Sequence, residues 1–235
     1  MGMLTGFTGV GPGLVTAPAL LYVFGLAAAR AQSSSLVLML AAAALGVPAY
    51  ALAGHVDWLL AGPAAAGAIV GALAGAKLTG GRDLPIVRRI VAIALIAGGT
   101  QIIIAAQHAG AGVTLLRFSA AVSFSVGLAS GLIGGVAGIA SGALLVPALT
   151  IFCGAPQKLA QAAALAAVIF ASVPGVLIHF SRGTVDRRAA GWLAAGAGLG
   201  GCIGAAMAVR TAPALLAGLF GIFLVVISAA IFSRG

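Results

Sequence analysis

The sequence predicts an all-α polytopic membrane protein made of two homologous repeats. Hydrophobic residues make up 62% of the 235 residues and charged residues only 6%, with a mean hydropathy of +1.23. Soluble domains carry about 25% charged residues, so the composition excludes that class. Two further observations support this fold class. Long uncharged runs give the number of membrane segments, and an internal alignment at one offset indicates the repeats.

The few charges separate long apolar runs. These runs cover residues 1–29, 31–56, 58–76, 90–116, 118–157, 159–181, 189–209 and 211–233. A membrane span needs about 20 apolar residues, so we expect seven or eight membrane segments. The net charge of +9 comes from basic residues at the ends of these runs, which is typical of membrane topology. We therefore expect a lipid bilayer as partner and no nucleic acid.

The repeat appears when the chain is aligned with itself at an offset of 129 positions. Between residues 54 and 76, 12 of 23 positions are then identical. The offset also pairs Gly9 with Gly138, Gly13 with Gly142, Pro18 with Pro147, Gln32 with Gln161 and Asp57 with Asp186. We expect a first repeat at 1–110, without counterparts of residues 117–129, and a second at 111–235, forming one transport domain.

Charge favours inverted repeats. Eight single crossings would place seven basic residues on one face and five on the other. If 1–28 and 118–156 instead enter and leave by the same face, nine basic residues oppose three, and positive-inside topology makes that face cytoplasmic, with the C-terminus. The nine are Arg30, Lys77, Arg82, Arg88, Arg89, Arg182, Arg187, Arg188 and Arg234. Each repeat then has a re-entrant or paired element plus three membrane helices.

The element 118–156 is the first candidate for a site. Glycine costs about 1 kcal/mol and proline about 3 kcal/mol within a helix, so we expect a break near Gly134 to Gly142. In a bilayer, broken backbone occurs only where protein buries it or where it lines a cavity. Unbroken helices are expected at 33–53, 58–76, 90–107, 159–180, 188–208 and 212–232.

Two stripes of glycine recur every four residues, a spacing that allows close helix packing in lipid. We expect both stripes where the two halves meet. They consist of Gly67, Gly71 and Gly75 in the first half and Gly196, Gly200 and Gly204 in the second.

Short motifs in both halves resemble the TauE/SafE sulfite exporter family. They are Gly9 to Pro18, Ala31 to Leu36 and Gly54 to Trp58, with the same order in Gly138 to Pro147, Ala160 to Leu165 and Gly183 to Arg187. The resemblance covers nearly the whole chain. It implies movement of a small anion such as sulfite, a sulfonate, thiosulfate or a related organic acid across the bacterial cytoplasmic membrane.

The halves differ where this family has a glycine triplet and a Thr-Ser pair. The triplet is Gly11-Pro12-Gly13 in one half and Ala140-Ser141-Gly142 in the other. Ser34-Ser35 corresponds to Ala163-Ala164. We therefore expect a lopsided site in which the first repeat supplies more hydroxyl groups.

An anion inside a membrane needs hydrogen-bond donors, which helix N-termini, hydroxyls and amides provide. The predicted substrate-binding residues are Gly11, Gly13, Gln32, Ser33, Ser34, Ser35, Ser141, Gly142 and Gln161. The serines are equally explained as helix caps, and the glutamines as hydrogen bonds between repeats. Asp57 and Asp186 are expected to cap helices. His55, His108 and His179 lie near segment ends, where interfacial placement is favoured over proton coupling.

The sequence gives no support for an enzyme. It has three carboxylates, which do not form a pair of acids, and it shows no nucleophile with an adjacent base. Cys153 and Cys202 lie in apolar segments without metal-ligand spacing, so we expect no metal and no cofactor. The sequence predicts a secondary transporter working by alternating access, with export favoured by the membrane potential. An uptake permease, an anion channel and a structural subunit stay open as alternatives, as does a homodimer.

Overall fold

A computed structural model describes residues 1–10, 25, 28–79, 85–107, 119–137, 142–181 and 187–232, and all regular structure in these ranges is helical. The helices are α1 (Gly2–Thr8), α2 (Ala28–Leu52), α3 (Trp58–Thr79), α4 (Pro85–Gln107), α5 (Ala120–Ala137), α6 (Gly142–Phe152), α7 (Gln157–Ser181), α8 (Arg187–Arg210) and α9 (Pro213–Phe232). By length and composition, three described segments can cross a membrane, namely Ser33–Leu52, Trp58–Gly75 and Ala190–Arg210. The chain is a multi-pass helical membrane protein.

The helix boundaries repeat at the offset seen in the sequence. Adding 129 to the first and last residues of α2 gives those of α7, and adding it to Trp58 gives the first residue of α8. Gly25 and Gly154, which the same offset pairs, both have a φ of 64°. Glycine adopts this left-handed conformation without the steric cost that a Cβ brings. The paired glycines therefore have the same backbone conformation in the two halves.

Glycine density predicts a break in the second half between α5 and α6. Helix α5 ends at Ala137 and α6 begins at Gly142. Residues 138–141 lie outside the described part of the chain. At 1.5 Å per residue, α5 is about 27 Å long and α6 is about 16 Å long, so α6 is the shorter of the two helices.

The first glycine stripe packs α3 against α5. A Cβ added to Gly67, Gly71 or Gly75 would overlap the carbonyl oxygens of α5 residues Phe124, Leu128 and Leu132, respectively. The α5 glycines Gly127, Gly131 and Gly135 face α3 carbonyls in the same way. Because the contacting numbers rise together, the two helices run parallel. Their backbones approach as closely as small-residue interfaces permit in lipid.

The second stripe packs α8 against α1. Gly204 lies against the backbone of Met3 and Phe7, and Gly200 against Gly2 and Met3. Gly196 has nothing within 4 Å of an added Cβ. Both interfaces join residues of one half to residues of the other. The predicted location of the stripes is thus confirmed for five of the six glycines, and Gly196 is the exception.

Helices α2 and α7 run antiparallel through the core. Val37 clusters with Val176 near one end of the pair, and Tyr50 contacts Gln161 near the other. Between them, α7 contributes a buried run, Ala162, Ala163, Ala164 and Leu165, to the main apolar cluster. These small side chains are good helix formers and allow close contact. The arrangement fixes the depth of each polar side chain on α2 and α7.

Candidate functional site

Gln161 is a fully buried polar residue one turn into α7. Its Oε1 accepts a hydrogen bond of 3.1 Å from the hydroxyl of Tyr50 on α2, while its Nε2 has no partner among the described residues. A buried unpaired donor costs about 1–3 kcal/mol, and a bound ligand that accepts its hydrogen bond would remove this cost. The side chain therefore offers a free N–H donor inside the protein.

The end of α1 closes one side of this residue. Gly9 caps α1 in the left-handed conformation with a φ of 71°. A Cβ added to Gly9 would lie 2.8 Å from both the Cα and the Cβ of Gln161. Only glycine meets both demands, the positive φ and the absence of a side chain. The first broken element of one half thus contacts the predicted ligand residue of the other.

Tyr50 orients the amide. Its hydroxyl lies 3.2 Å from the carbonyl oxygen of Gly6 and 3.1 Å from Oε1 of Gln161. A phenol donates one hydrogen at a time, so it can serve either acceptor. When it donates to Oε1, the NH₂ group of Gln161 points away from Tyr50 and remains available. Tyr50 is thus a positioning residue for the amide.

The predicted serines lie at the opposite end of α2. Ser33 and Ser35 are buried and Ser34 is half-buried. Ser33 precedes Tyr50 by 17 residues, which is about 25 Å of helix. The structure therefore does not bring the serines to Gln161. Nor are they caps, because α2 begins at Ala28 and Ser33 lies in its second turn.

Other predicted site residues are only partly described. Gly142 is the buried first residue of α6. Gly11, Gly13 and Ser141 lie outside the described residues, and of Gln32 only the helical backbone is described. Asp57 caps α3, as expected, by accepting a 2.8 Å hydrogen bond from Leu59 N–H.

Two basic groups lie one turn outside Gln161. Lys158 donates from Nζ to the carbonyl oxygen of Val209, at 2.6 Å, near the end of α8. His55 follows the end of α2, and its backbone N–H donates to the Tyr50 carbonyl oxygen at 2.9 Å. Desolvation, and then the nearby Lys158 ammonium, lower the pKa of His55. The ammonium of Lys158, one turn before Gln161 on α7, gives this end of α7 a positive charge, which favours an anion.

Sequence analysis missed Tyr50, Gln157 and the relation of His55 to Lys158. Tyr50 lies in an apolar run, and its partner is 111 residues away in sequence. Gln157 carried a detectable signal, because positions four residues apart share a helix face and Gln161 was already a candidate.

Comparison with known proteins identifies the family. The model of the sulfite exporter TauE/SafE family matches residues 1–102 and 123–235. The chain belongs to this family. A stretch of 90 residues is 33% identical to "Probable membrane transporter protein YunE" of Bacillus subtilis (strain 168). That match covers 38% of this chain and 33% of the length of the relative. No solved structure gives a significant match.

The TauE/SafE family is one of membrane transporters. The resemblance of the motifs in both halves is thereby confirmed.

Proposed function

We propose that this TauE/SafE protein is a secondary transporter that moves a small sulfur-containing oxyanion, such as sulfite, a sulfonate or thiosulfate, by alternating access. The observation that carries the proposal is the free amide donor of Gln161, fully buried between the two halves. An oxyanion that leaves water needs such donors in place of its hydration shell. Neutral donors hold the anion without binding it too tightly for release.

The proposed architecture is a pair of inverted repeats. The equivalent helices α2 and α7 are antiparallel, which supports inversion. Arg30 lies in the first turn of α2, whereas His55 follows its end and lies near Lys158. These positions favour placing Arg30 and Lys158 on opposite faces of the membrane. That placement is expected if the elements 1–28 and 118–156 each enter and leave by the same face. Eight single crossings would put both on one face.

This topology assigns the face with Arg30 to the cytoplasm of a bacterial cell, together with the C-terminus. It assigns Lys158 and His55 to the outside of the cytoplasmic membrane. A homodimer stays a prediction.

Alternating access follows from the two ends of the α2 and α7 pair. Gln161 lies near the Lys158 face, and its counterpart Gln32 lies with Ser33, Ser34 and Ser35 near the other. We propose that rocking of the halves exposes these donors in turn, so the anion meets one set from each side. Gly11, Gly13, Ser141 and Gly142 are proposed to supply backbone donors at the breaks. Export is the proposed direction, because the membrane potential drives anions outward.

The test is transport by the purified protein in proteoliposomes, with sulfite, thiosulfate, methanesulfonate, acetate and phosphate as probes. We expect uptake of at least one sulfur oxyanion to be saturable. Gln161→Leu should lower kcat/KM at least tenfold, since a charge-assisted hydrogen bond is worth about 1.5–3 kcal/mol. Tyr50→Phe should lower it less, because the amide is kept but no longer oriented.

The control is Gln101→Leu, since Gln101 is exposed on α4. Unchanged kinetics in Gln161→Leu, with wild-type melting temperature, would contradict the site. Counterflow separates the alternatives: a preloaded anion accelerates uptake through an alternating-access carrier, whereas a channel shows no such acceleration. An uptake permease differs only in the direction favoured in cells.

A further inference from the structure

The N-terminus of α7 carries a second buried amide that the transport site described above does not use. Gln157, the first residue of α7, is 7% exposed, and within the described part of the chain neither Nε2 nor Oε1 has a hydrogen-bond partner. Each unpaired buried group costs about 1–3 kcal/mol. A ligand that accepts and donates hydrogen bonds at this amide would remove that cost.

The backbone at this position favours the same kind of ligand. The intrahelical bonds of α7 begin with Ala160 N–H, which donates to the Pro156 carbonyl oxygen at 3.0 Å. The N–H groups of residues 157–159 precede this bond and have no carbonyl one turn earlier in the helix. They lie at the positive end of the helix dipole. Backbone and side chain thus present donors together, which is the composition of an anion site.

Gln157 and Gln161 are four residues apart, so they lie on one face of α7, one turn from each other. Both have an unpaired Nε2. An oxyanion with several oxygen atoms can be passed between two such amides without returning to water. The outer amide is the one nearer the face that carries Lys158 and His55.

The charges near this turn also favour an anion. Lys158 lies in the first turn of α7, where a cation opposes the helix dipole by a few tenths of a kcal/mol. Its Nζ bonds to the end of α8, so capping α8 is one role for this lysine. The acidic side chain described on this face, Asp57, is engaged in its own cap on α3. A hydrogen bond does not cancel the negative charge of a carboxylate, so an oxyanion is attracted here by Lys158 and by the positive end of the α7 dipole.

We propose that the N-terminus of α7, with Gln157, is an outer binding site for the transported oxyanion, which passes from there to Gln161. This inference rests on the proposed function and adds a residue and a position to it. A lipid phosphate has the same oxyanion chemistry. Its bulk is disfavoured by the 7% exposure of Gln157.

The test measures concentration dependence in proteoliposomes with sulfite and methanesulfonate. We expect Gln157→Leu to raise KM about tenfold with little change in kcat, because the inner donor Gln161 is intact. Gln157→Glu should raise KM further, since it keeps the shape and adds a repelling charge. Gln157→Asn keeps the amide and should lie between wild type and Gln157→Leu. The exposed Gln101→Leu should match wild type in KM and melting temperature.

The outcomes are distinguishable. If the wild type transports an oxyanion but Gln157→Leu keeps its KM, the outer site is wrong and the proposed function stands. A second outcome would indicate a lipid site instead. In that case the melting temperature of the wild type changes when phosphatidylglycerol replaces phosphatidylcholine in the vesicles, and that of Gln157→Leu does not. If the wild type moves and binds no oxyanion, the proposed function fails and the outer site with it.

Discussion

Helices α3 and α8 carry the same glycine stripe at equivalent positions, yet their surroundings differ. On α3 all three glycines meet α5, whereas on α8 Gly200 and Gly204 meet α1 and Gly196 meets nothing. The difference lies in the partner helix, because α5 lies along all three glycines of the α3 stripe, whereas α1 lies against only the last two glycines of the α8 stripe. A small-residue motif therefore indicates where a second helix can pack closely. Its presence alone does not show that a neighbour is there.

Substituting the first glycine of each stripe tests this difference most strongly. Gly67→Ala places a Cβ on the Phe124 carbonyl, 2.8 Å from Leu128 N, so α3 and α5 must separate. We expect a loss of about 2–3 kcal/mol in the free energy of unfolding. Gly196→Ala meets open space and should gain up to about 1 kcal/mol from helix propensity. The measurement is the melting temperature of the two variants in the same detergent.

Equal melting temperatures for these two alanine variants would show that α5 does not pack on α3 as described. Function gives an independent check, because the stripes join the two halves. Gly67→Ala should reduce transport together with stability, and Gly196→Ala should leave transport unchanged.

A second comparison separates backbone strain from crowding at the site. Gly9 and Gly54 have nearly the same φ, 71° and 72°, so alanine is strained by about 1–2 kcal/mol at both. Only at Gly9 does the new Cβ meet Gln161, at 2.8 Å. We expect Gly9→Ala to lose at least another 1 kcal/mol of stability and to lower kcat/KM more than tenfold. Gly54→Ala should lose stability alone.

The assay is methanesulfonate uptake beside thermal unfolding of both variants. Matching uptake defects in Gly9→Ala and Gly54→Ala would assign the effect to strain and remove Gly9 from the site.

The sequence predicted the helices well, because helix formation depends on local patterns, whereas the division into two repeats stays a prediction. The helix start at Trp58 follows from the polar turn before it, and the predicted α3 and α8 boundaries agree within a few residues. Gln161 was found because the offset paired it with Gln32. Its neighbour Tyr50 could not be found, since the contact depends on how α2 and α7 cross. Ser33 was grouped with Gln161 by motif, whereas helix length sets their separation.

The smallest expected effect is the response of transport to pH, which we assign to the end of α7 that carries Lys158 and His55. The pKa of His55 is lowered, first by desolvation and then by Lys158, so this imidazole is neutral at pH 7. Its charged neighbours are Lys158 on α7 and Asp57 in its own turn. A bound anion favours the protonated form, so affinity should rise as pH falls through the lowered pKa. We expect KM for methanesulfonate to fall about twofold between pH 7.5 and pH 5.

Methanesulfonate is the probe because its own charge is constant over this range, so the change reports on the protein. His55→Gln should make the KM profile flat. Lys158→Met removes the repulsion, which raises the pKa of His55 and moves the change in KM to higher pH. A profile that is the same in wild type and His55→Gln would show that His55 does not sense the anion.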